Sequence, residues 1–335
     1  MKNKITKIKG LIPGIILLFT IGLIGWFIGE QIPYISYLLI CIIIGISLSN
    51  TIGLPRFFEK GIQKTYKIWL ETGIMILGAR IVFAELIGVG PTILLLVIFF
   101  LVFSLLFTHY LASKIGLKQK MASLLASGVS VCGVSAIVAT GGGIRAKEKQ
   151  IAYAIAAILV FDIITVFAWP AIGSLFEIPS QIFGPWAGLT SPSTGTTVAI
   201  GFIHSETAGE LATMTKLARN VFIGVWALLF AIYYANKGIR SQIENKGAYF
   251  WDKFPKFILG FLLTIVLANI GVFSEAQIQY LENAYSWLFM MAFVGLGYNI
   301  KVKELLNTGL KPLIVTTTVF IIVSILSLAM LFAIF

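Results

Sequence analysis

Residues 120–149 read KMASLLASGVSVCGVSAIVATGGGIRAKEK. Glycine, serine, threonine and alanine dominate this stretch. Basic residues crowd both its ends, with Lys114 and Lys118 just before it, Lys120 at its start, and Arg145, Lys147 and Lys149 at its close. Its neighbours are different. Apolar blocks of roughly 18 to 25 residues, such as 11–29, 91–112 and 313–335, have the length that crosses a hydrocarbon core of about 30 Å. Only 12% of the 335 residues are charged and 58% are hydrophobic, against about 25% charged in a water-soluble domain. The chain is expected to be an all-α integral membrane protein forming one transmembrane domain over 1–335. Nine spans are expected at 11–29, 34–53, 67–87, 91–112, 149–175, 208–236, 254–273, 283–300 and 311–334. The two small-residue segments, 120–143 and 187–203, stand apart from them.

The charges decide how those two segments run. With a cytoplasmic N-terminus and its lysines within 1–10 retained beside a first span, the inner loops hold Arg56, Lys60, Lys64 and Lys67, then Lys114, Lys118 and Lys120. Further on they hold Lys237, Arg240, Lys246, Lys253 and Lys256, then Lys301, Lys303 and Lys311. The outer loops hold only acids, Glu30, Glu177, Glu206, Glu275 and Glu282. That is the positive-inside pattern. The cluster Arg145–Lys149 fits it only if 120–143 dips in and returns. A broken or re-entrant segment is therefore expected there, with a second entering from outside at 187–203.

Internal similarity points to an inverted repeat, a frequent basis of transporters. Leu77-Gly78-Ala79-Arg80-Ile81, continuing to Glu85, Leu86 and Gly90, matches Leu296-Gly297-Tyr298-Asn299-Ile300, continuing to Glu304, Leu305 and Gly309. Six of fourteen positions are identical. Residues 128–141 also align with 188–201, sharing both terminal glycines and a Val-Ala pair. The two similarities have different offsets, so they are not one tandem duplication.

Irregular backbone at membrane depth survives only where it is buried or lines a cavity. Its free N–H groups suit anions. The candidate substrate lining is Ser130, Cys132, Gly133 and Ser135 from one segment, and Ser191, Ser193, Thr194, Thr196 and Thr197 from the other. The bland reading is that small residues let helices pack closely. Asp162, in the middle of a span, costs about 2.5–3.5 kcal/mol to insert. It reads as a proton or cation coupling site, as a structural ion pair, or as a protonated Asp bonded to backbone. Lys216, Arg219 and Asn220 share one helix face at spacing i, i+3, i+4. They read as an anion-binding face, with Lys216 also available to neutralise Asp162, or as side chains snorkelling to the interface. Arg80 is a further candidate, an interfacial ion pair with Glu85 being the simpler reading. Trp26, Trp69, Trp169, Trp186 and Trp251 read as an interfacial belt.

Cys41 and Cys132 make no disulfide framework, and His109 and His204 suggest no metal site. Lys and Arg form no aromatic-interleaved patch, so the net charge of +11 does not imply nucleic acid. No Walker A, Gly-x-Ser-x-Gly or His-Glu-x-x-His motif is present, and neither enzymatic activity nor a cofactor is expected beyond a coupling H⁺ or Na⁺.

Ser130-Val-Cys-Gly-Val-Ser-Ala-Ile137, Glu148-Lys-Gln-Ile-Ala-Tyr-Ala-Ile-Ala156 and Gly184-Pro-Trp-Ala-Gly188 resemble motifs of the bacterial family named as sulfate exporters, the YeiH-like or UPF0324 proteins. So do Lys216-Leu-Ala-Arg219, Phe254-Pro-Lys-Phe-Ile-Leu-Gly260, Leu77-Gly-Ala-Arg80 and Lys311-Pro-Leu. The resemblance covers most of the chain. It implies the cation/proton antiporter and bile-acid symporter fold group, with inverted repeats and broken helices meeting near mid-membrane. Two departures stand out. Where the family has His-Asp, this chain has Pro192-Ser193, and where the family has Gly it has Asp162, as if the acidic group had moved to a neighbouring helix.

The function expected is ion-coupled secondary transport of a small anion, sulfate or a sulfonate, in a bacterial cytoplasmic membrane. The alternatives are a cation/proton antiporter working through Asp162 and a passive anion channel. A monomer and a homodimer both fit the sequence.

Overall fold

The computed structural model describes residues 11–32, 36–52, 54–81, 83–236, 246–301 and 309–335. The lysines within 1–10, Lys237, Arg240, Lys303, Glu304 and the side chain of Glu85, all used in the charge and repeat arguments, lie outside the described residues. Every regular element among the described residues is helical. Among the described residues, five helices are long and apolar enough to cross a membrane. The chain is an all-α integral membrane protein.

In chain order the helices are α1 (Ile12–Gln31), α2 (Tyr37–Ser47, continued by a π-turn Leu48–Ile52), α3 (Arg56–Leu77, continued by a 3₁₀ turn Gly78–Arg80) and α4 (Phe83–Lys114). Then come α5 (Gln119–Ser130), α6 (Val134–Gly143), α7 (Glu148–Leu175), α8 (Ser180–Thr190), α9 (Thr194–His204), α10 (Glu206–Asn220) and α11 (Ile223–Asn236). The series ends with α12 (Lys246–Lys253), α13 (Phe257–Asn269), α14 (Glu275–Tyr298) and α15 (Leu310–Ile334). The span expected over 208–236 is two helices, interrupted at Val221-Phe222.

Helix ends carry local signals. Ser274 begins α14 with a capping box, its hydroxyl accepting from Gln277 N while Gln277 Oε1 accepts from Ser274 N. Ser205 starts α10 by accepting from Ala208 N at 3.1 Å. Such caps satisfy N–H groups that the first turn leaves free.

The helices form two units, Met1–Gly88 with Lys256–Lys303, and Val89–Pro255 with Glu304–Phe335. In the first unit one contact is built twice. A Cβ on Gly78 would lie 2.5 Å from Phe261 O, and one on Gly297 would collide with Ile42 O. Neither site has room for a side chain. Eight residues after Phe261, Asn269 Nδ2 donates to Ile81 O at 2.7 Å and to Ile265 O at 2.8 Å. Eight residues after Ile42, Asn50 Nδ2 donates to Ile300 O at 2.8 Å and to Ile46 O at 2.8 Å. Thus α13 holds the end of α3 in the way that α2 holds the end of α14. Ion pairs tie the same helices, Arg80 to Glu282 at 3.4 Å and Lys301 to Glu59 at 2.8 Å.

The second unit contains two helical hairpins. In the first, α5 and α6, Lys120 Nζ reaches Arg145 O at 2.8 Å. A continuous helix at 1.5 Å per residue would hold those positions about 37 Å apart. In the second, α8 and α9, Ser180 Oγ lies 2.7 Å from Ser205 Oγ. At the same end Phe183 stacks on His204 with ring centroids 3.9 Å apart, and His204 Nε2 lies 3.0 Å from Ile178 O. Each hairpin therefore goes in and comes back. The first turns on Gly133, whose φ of +63° lies in the region that favours glycine. The second turns through Ser191-Pro192-Ser193.

Trp169 and Trp186 belong to this unit's interior rather than to an interfacial belt. Their rings stack at 5.1 Å, and their indole N–H groups donate to Thr190 Oγ1 at 2.6 Å and Ser324 O at 3.0 Å. Two apolar surfaces buried against each other outweigh the wet interface when the polar N–H also finds a partner. Trp26 and Trp251 are exposed.

Candidate functional site

The two hairpins meet tip to tip inside the second unit. A Cβ on Gly133 would lie 3.3 Å from Ser193 Oγ and 3.5 Å from Pro192 O. At this point α5 and α8 end and α6 and α9 begin. Two negative helix ends and two positive ones thus lie together.

Helix α10 supplies the cations. Lys216, fully buried, donates to Val131 O at 3.0 Å, Ser191 O at 2.8 Å and Pro192 O at 2.6 Å. Arg219 donates through Nε to Ser130 O at 3.2 Å and through Nη2 to Val129 O at 3.0 Å and Ser130 O at 2.8 Å. Its Nη1 donates to Gly188 O at 3.1 Å and to Leu189 O. An ammonium has three protons to give and a guanidinium five, so these bonds account for all of them. The two side chains bind the C-terminal carbonyls of α5 and α8 to each other. They are buried in the unit rather than snorkelling. Sequence reasoning offered Lys216 as a charge that neutralises Asp162; the two attract each other electrostatically, while the protons of the ammonium go to backbone carbonyls. The physical reason is that each hairpin leaves its last carbonyls without helical partners, and a buried cation satisfies several at once.

Helix α7 supplies the anion. Asp162 Oδ1 accepts from Ser193 N at 3.0 Å and from Thr196 Oγ1 at 2.7 Å, and Oδ2 accepts from Ser193 Oγ. These donors belong to the first turn of α9, so the carboxylate sits on the positive end of that helix. The acid serves the N-terminal end of one hairpin arm and the bases serve the C-terminal ends of two others. Each charge type lies where helix dipoles favour it.

The other predicted residues fall into place around this cluster. Asn220 Nδ2 donates to Thr194 Oγ1 at 2.9 Å. The Thr197 hydroxyl turns back to Ser193 O at 2.7 Å and the Ser130 hydroxyl to Ser127 O at 3.4 Å, so both are used within their own hairpins. Cys132 is buried against Val131, Ala136, Ala139 and Ile223. Ser191 is fully buried and its hydroxyl has no partner among the described residues. Ser135 is on the outer side of α6 and exposed. Arg80 lies in the first unit, with Glu282 and, at 3.5 Å, the Tyr285 hydroxyl as partners. Among the described residues no cluster of His, Cys, Asp and Glu has the make-up of a metal site.

Sequence reasoning missed the acceptors themselves, the carbonyls of Val129, Val131, Gly188, Leu189 and Pro192. It also missed Thr190, whose hydroxyl links Trp169 to Trp186 O at 2.6 Å. Only Pro192 carried a signal, and a weak one: proline cannot continue a helix's hydrogen bonding, yet Pro91, Pro170 and Pro185 stand inside α4, α7 and α8.

Comparisons with known proteins agree on one family. A family profile described as "Conserved hypothetical protein 698" matches residues 13–316. A "UPF0324 membrane protein" of Nitratidesulfovibrio vulgaris is 32% identical over 313 residues, covering 90% of this chain and 87% of the relative. A protein of that name from Streptococcus agalactiae is 32% identical over 331 residues, covering 96% and 97%. One from Clostridium tetani is 28% identical over 313 residues, covering 89% and 90%. With similarity running nearly end to end in bacterial proteins of one name, the chain belongs to the UPF0324 family of multi-pass membrane proteins.

Proposed function

We propose that this protein is a secondary active transporter of the bacterial cytoplasmic membrane, moving a small oxyanion of the sulfate or sulfonate kind coupled to H⁺ or Na⁺. The observation that carries this reading is the meeting of two hairpin tips at a buried cluster of two cations and one carboxylate. Charges at membrane depth cost several kcal/mol unless they serve a pathway or a structural need. Here Lys216 and Arg219 against Asp162 leave a surplus of one positive charge. That surplus favours an anion. Because Lys216 and Arg219 have spent their protons on carbonyls, they act on the substrate through their field. Direct contacts fall to the hairpins' N-terminal N–H groups and to hydroxyls such as that of Thr194.

The charge pattern gives the hairpins opposite orientations in the membrane. Lys118, Lys120, Arg145, Lys147 and Lys149 surround the mouth of the first, and Glu177 and Glu206 flank the mouth of the second. Under the positive-inside rule the first opens to the cytoplasm and the second to the outside. Two tips entering from opposite faces is the arrangement in which rocking of one bundle exposes a fixed site alternately. The doubled contact of the first unit supports an inverted repeat. It equates α2-α3-α4 with α13-α14-α15. The first hairpin then follows its three helices, whereas the second precedes its own. That circular order accounts for the unequal offsets of the two internal similarities.

A cation/proton antiporter built on Asp162 fits less well. A cation site needs oxygen acceptors facing the ion, whereas three donors face this carboxylate. No cofactor or enzymatic step is needed. The test is counterflow in proteoliposomes with radiolabelled sulfate against sulfite, thiosulfate, taurine and sulfoacetate, with and without Na⁺ or pH gradients. One of these anions should exchange, and one gradient should drive its accumulation. Flux without counterflow would mean a channel. Cation movement alone, abolished by Asp162→Asn, would mean an antiporter.

A further inference from the structure

The first turn of α9 already holds an oxyanion, and it comes from the protein itself. Two carboxylate oxygens of Asp162 take up the N–H and hydroxyl of the N-cap residue Ser193 and the hydroxyl of Thr196 in the first turn, three donors at the positive end of a helix, where a free phosphate, sulfate or carboxylate is also favoured. A second observation points to a ligand at the same end. Asn220 is 2% exposed and its amide nitrogen is bonded to Thr194 at the start of α9, yet its Oδ1, fully shielded, has no partner among the described residues. A buried amide oxygen left without a hydrogen to accept is costly, and the next group able to offer one is a ligand or the water that accompanies it. Behind this end stand Lys216 and Arg219, with charge to contribute but no free protons.

We propose that the N-terminal end of α9, with Asn220 beside it, is an oxyanion subsite, and that Asp162 occupies it as a tethered stand-in which the transported oxyanion displaces. This deepens the transport reading and rests on it for the word transported; the subsite itself does not. Its consequence is competition. The apparent dissociation constant for a free anion is the intrinsic one divided by the fraction of sites from which the carboxylate has moved away. Shortening Asp162 removes the competitor and leaves a carboxylate-sized space lined by the same donors. Asp162 is thus a gatekeeper of the anion site rather than a ligand of a coupling cation.

Formate is the probe, because it is the smallest group that reproduces the lost carboxylate. Detergent-purified wild type, Asp162→Gly, and Asp162→Gly combined with Thr196→Val are titrated with formate and with sulfate, reading thermal stability. Asp162→Gly should melt lower than wild type and regain part of the loss as formate rises. Its apparent dissociation constant for sulfate or formate should be lower than that of wild type by about tenfold or more, as expected when a mostly closed site is opened. The double variant should lose the gain. Where the glycine variant does not fold alone, Asp162→Ser is used, and recovery of folded protein only with formate counts for the proposal. Equal formate response in wild type and variant, or no recovery of either variant with formate, overturns it. Anion transport by wild type without a gain in the variant sinks the subsite alone. A gain in the variant without wild-type transport sinks the transport reading alone.

Discussion

Arg219 shows how one residue can tie two hairpins. Its five protons reach carbonyls of Val129 and Ser130 on one side and of Gly188 and Leu189 on the other. Lysine has three donors on a single atom and cannot span the same set. Arg219→Lys is expected to destabilise by about 3 kcal/mol, since at least two buried carbonyls lose their partners at about 1–3 kcal/mol each. Thermal unfolding followed by size-exclusion chromatography checks this, and an unchanged midpoint would mean that other groups reach those carbonyls. The sequence made Asp162, Lys216, Arg219 and Asn220 conspicuous, because ionisable groups inside apolar spans need a reason. It could not show what they bind. Every residue carries a carbonyl, and only the chain's turns decide which carbonyls lose their helical partners.

Helices in the first unit are held by a repeated device of glycine contact and asparagine cap. Ile300 O has a second donor, the Ser49 hydroxyl at 3.0 Å, besides Asn50 at 2.8 Å, whereas Ile81 O is held by Asn269 at 2.7 Å. Asn269→Ala should therefore cost about 1 kcal/mol, the usual net value of one such bond, and Asn50→Ala less. Melting temperatures of the two variants in parallel decide it, and a larger loss for Asn50→Ala would contradict the correspondence. The glycines of this device were legible as a short internal similarity, Leu-Gly-x-x-Ile at 77–81 and 296–300. The asparagines were not, because one Asn at the end of each of two unlike apolar helices leaves no pattern. The hairpins were legible as composition and charge. Their small residues allow close turns, and Arg145–Lys149 could be kept beside Lys118 and Lys120 only by a segment that returns. The tryptophans at 169 and 186 misled, since aromatic rings near a span's end suit either a wet interface or a stacked core.

At the scale of the whole molecule, the proposed transport rests on two hairpins that meet at a charged cluster, with their mouths assigned to opposite membrane faces by the positive-inside rule. Apolar length and the placement of Lys and Arg are what the sequence offers for that reading, because the bilayer constrains both. Pairing between elements distant in sequence, such as α10 with both hairpin tips, was beyond any single-chain pattern. The most direct test uses single cysteines at the two mouths. Glu148→Cys marks the start of α7 beside the first hairpin and Thr207→Cys the start of α10 beside the second; both positions are exposed, while the native Cys41 and Cys132 are buried. A membrane-impermeant maleimide is applied to right-side-out and inside-out vesicles. The account predicts labelling of Thr207→Cys only in right-side-out vesicles and of Glu148→Cys only in inside-out vesicles; labelling of both from the same face would contradict it.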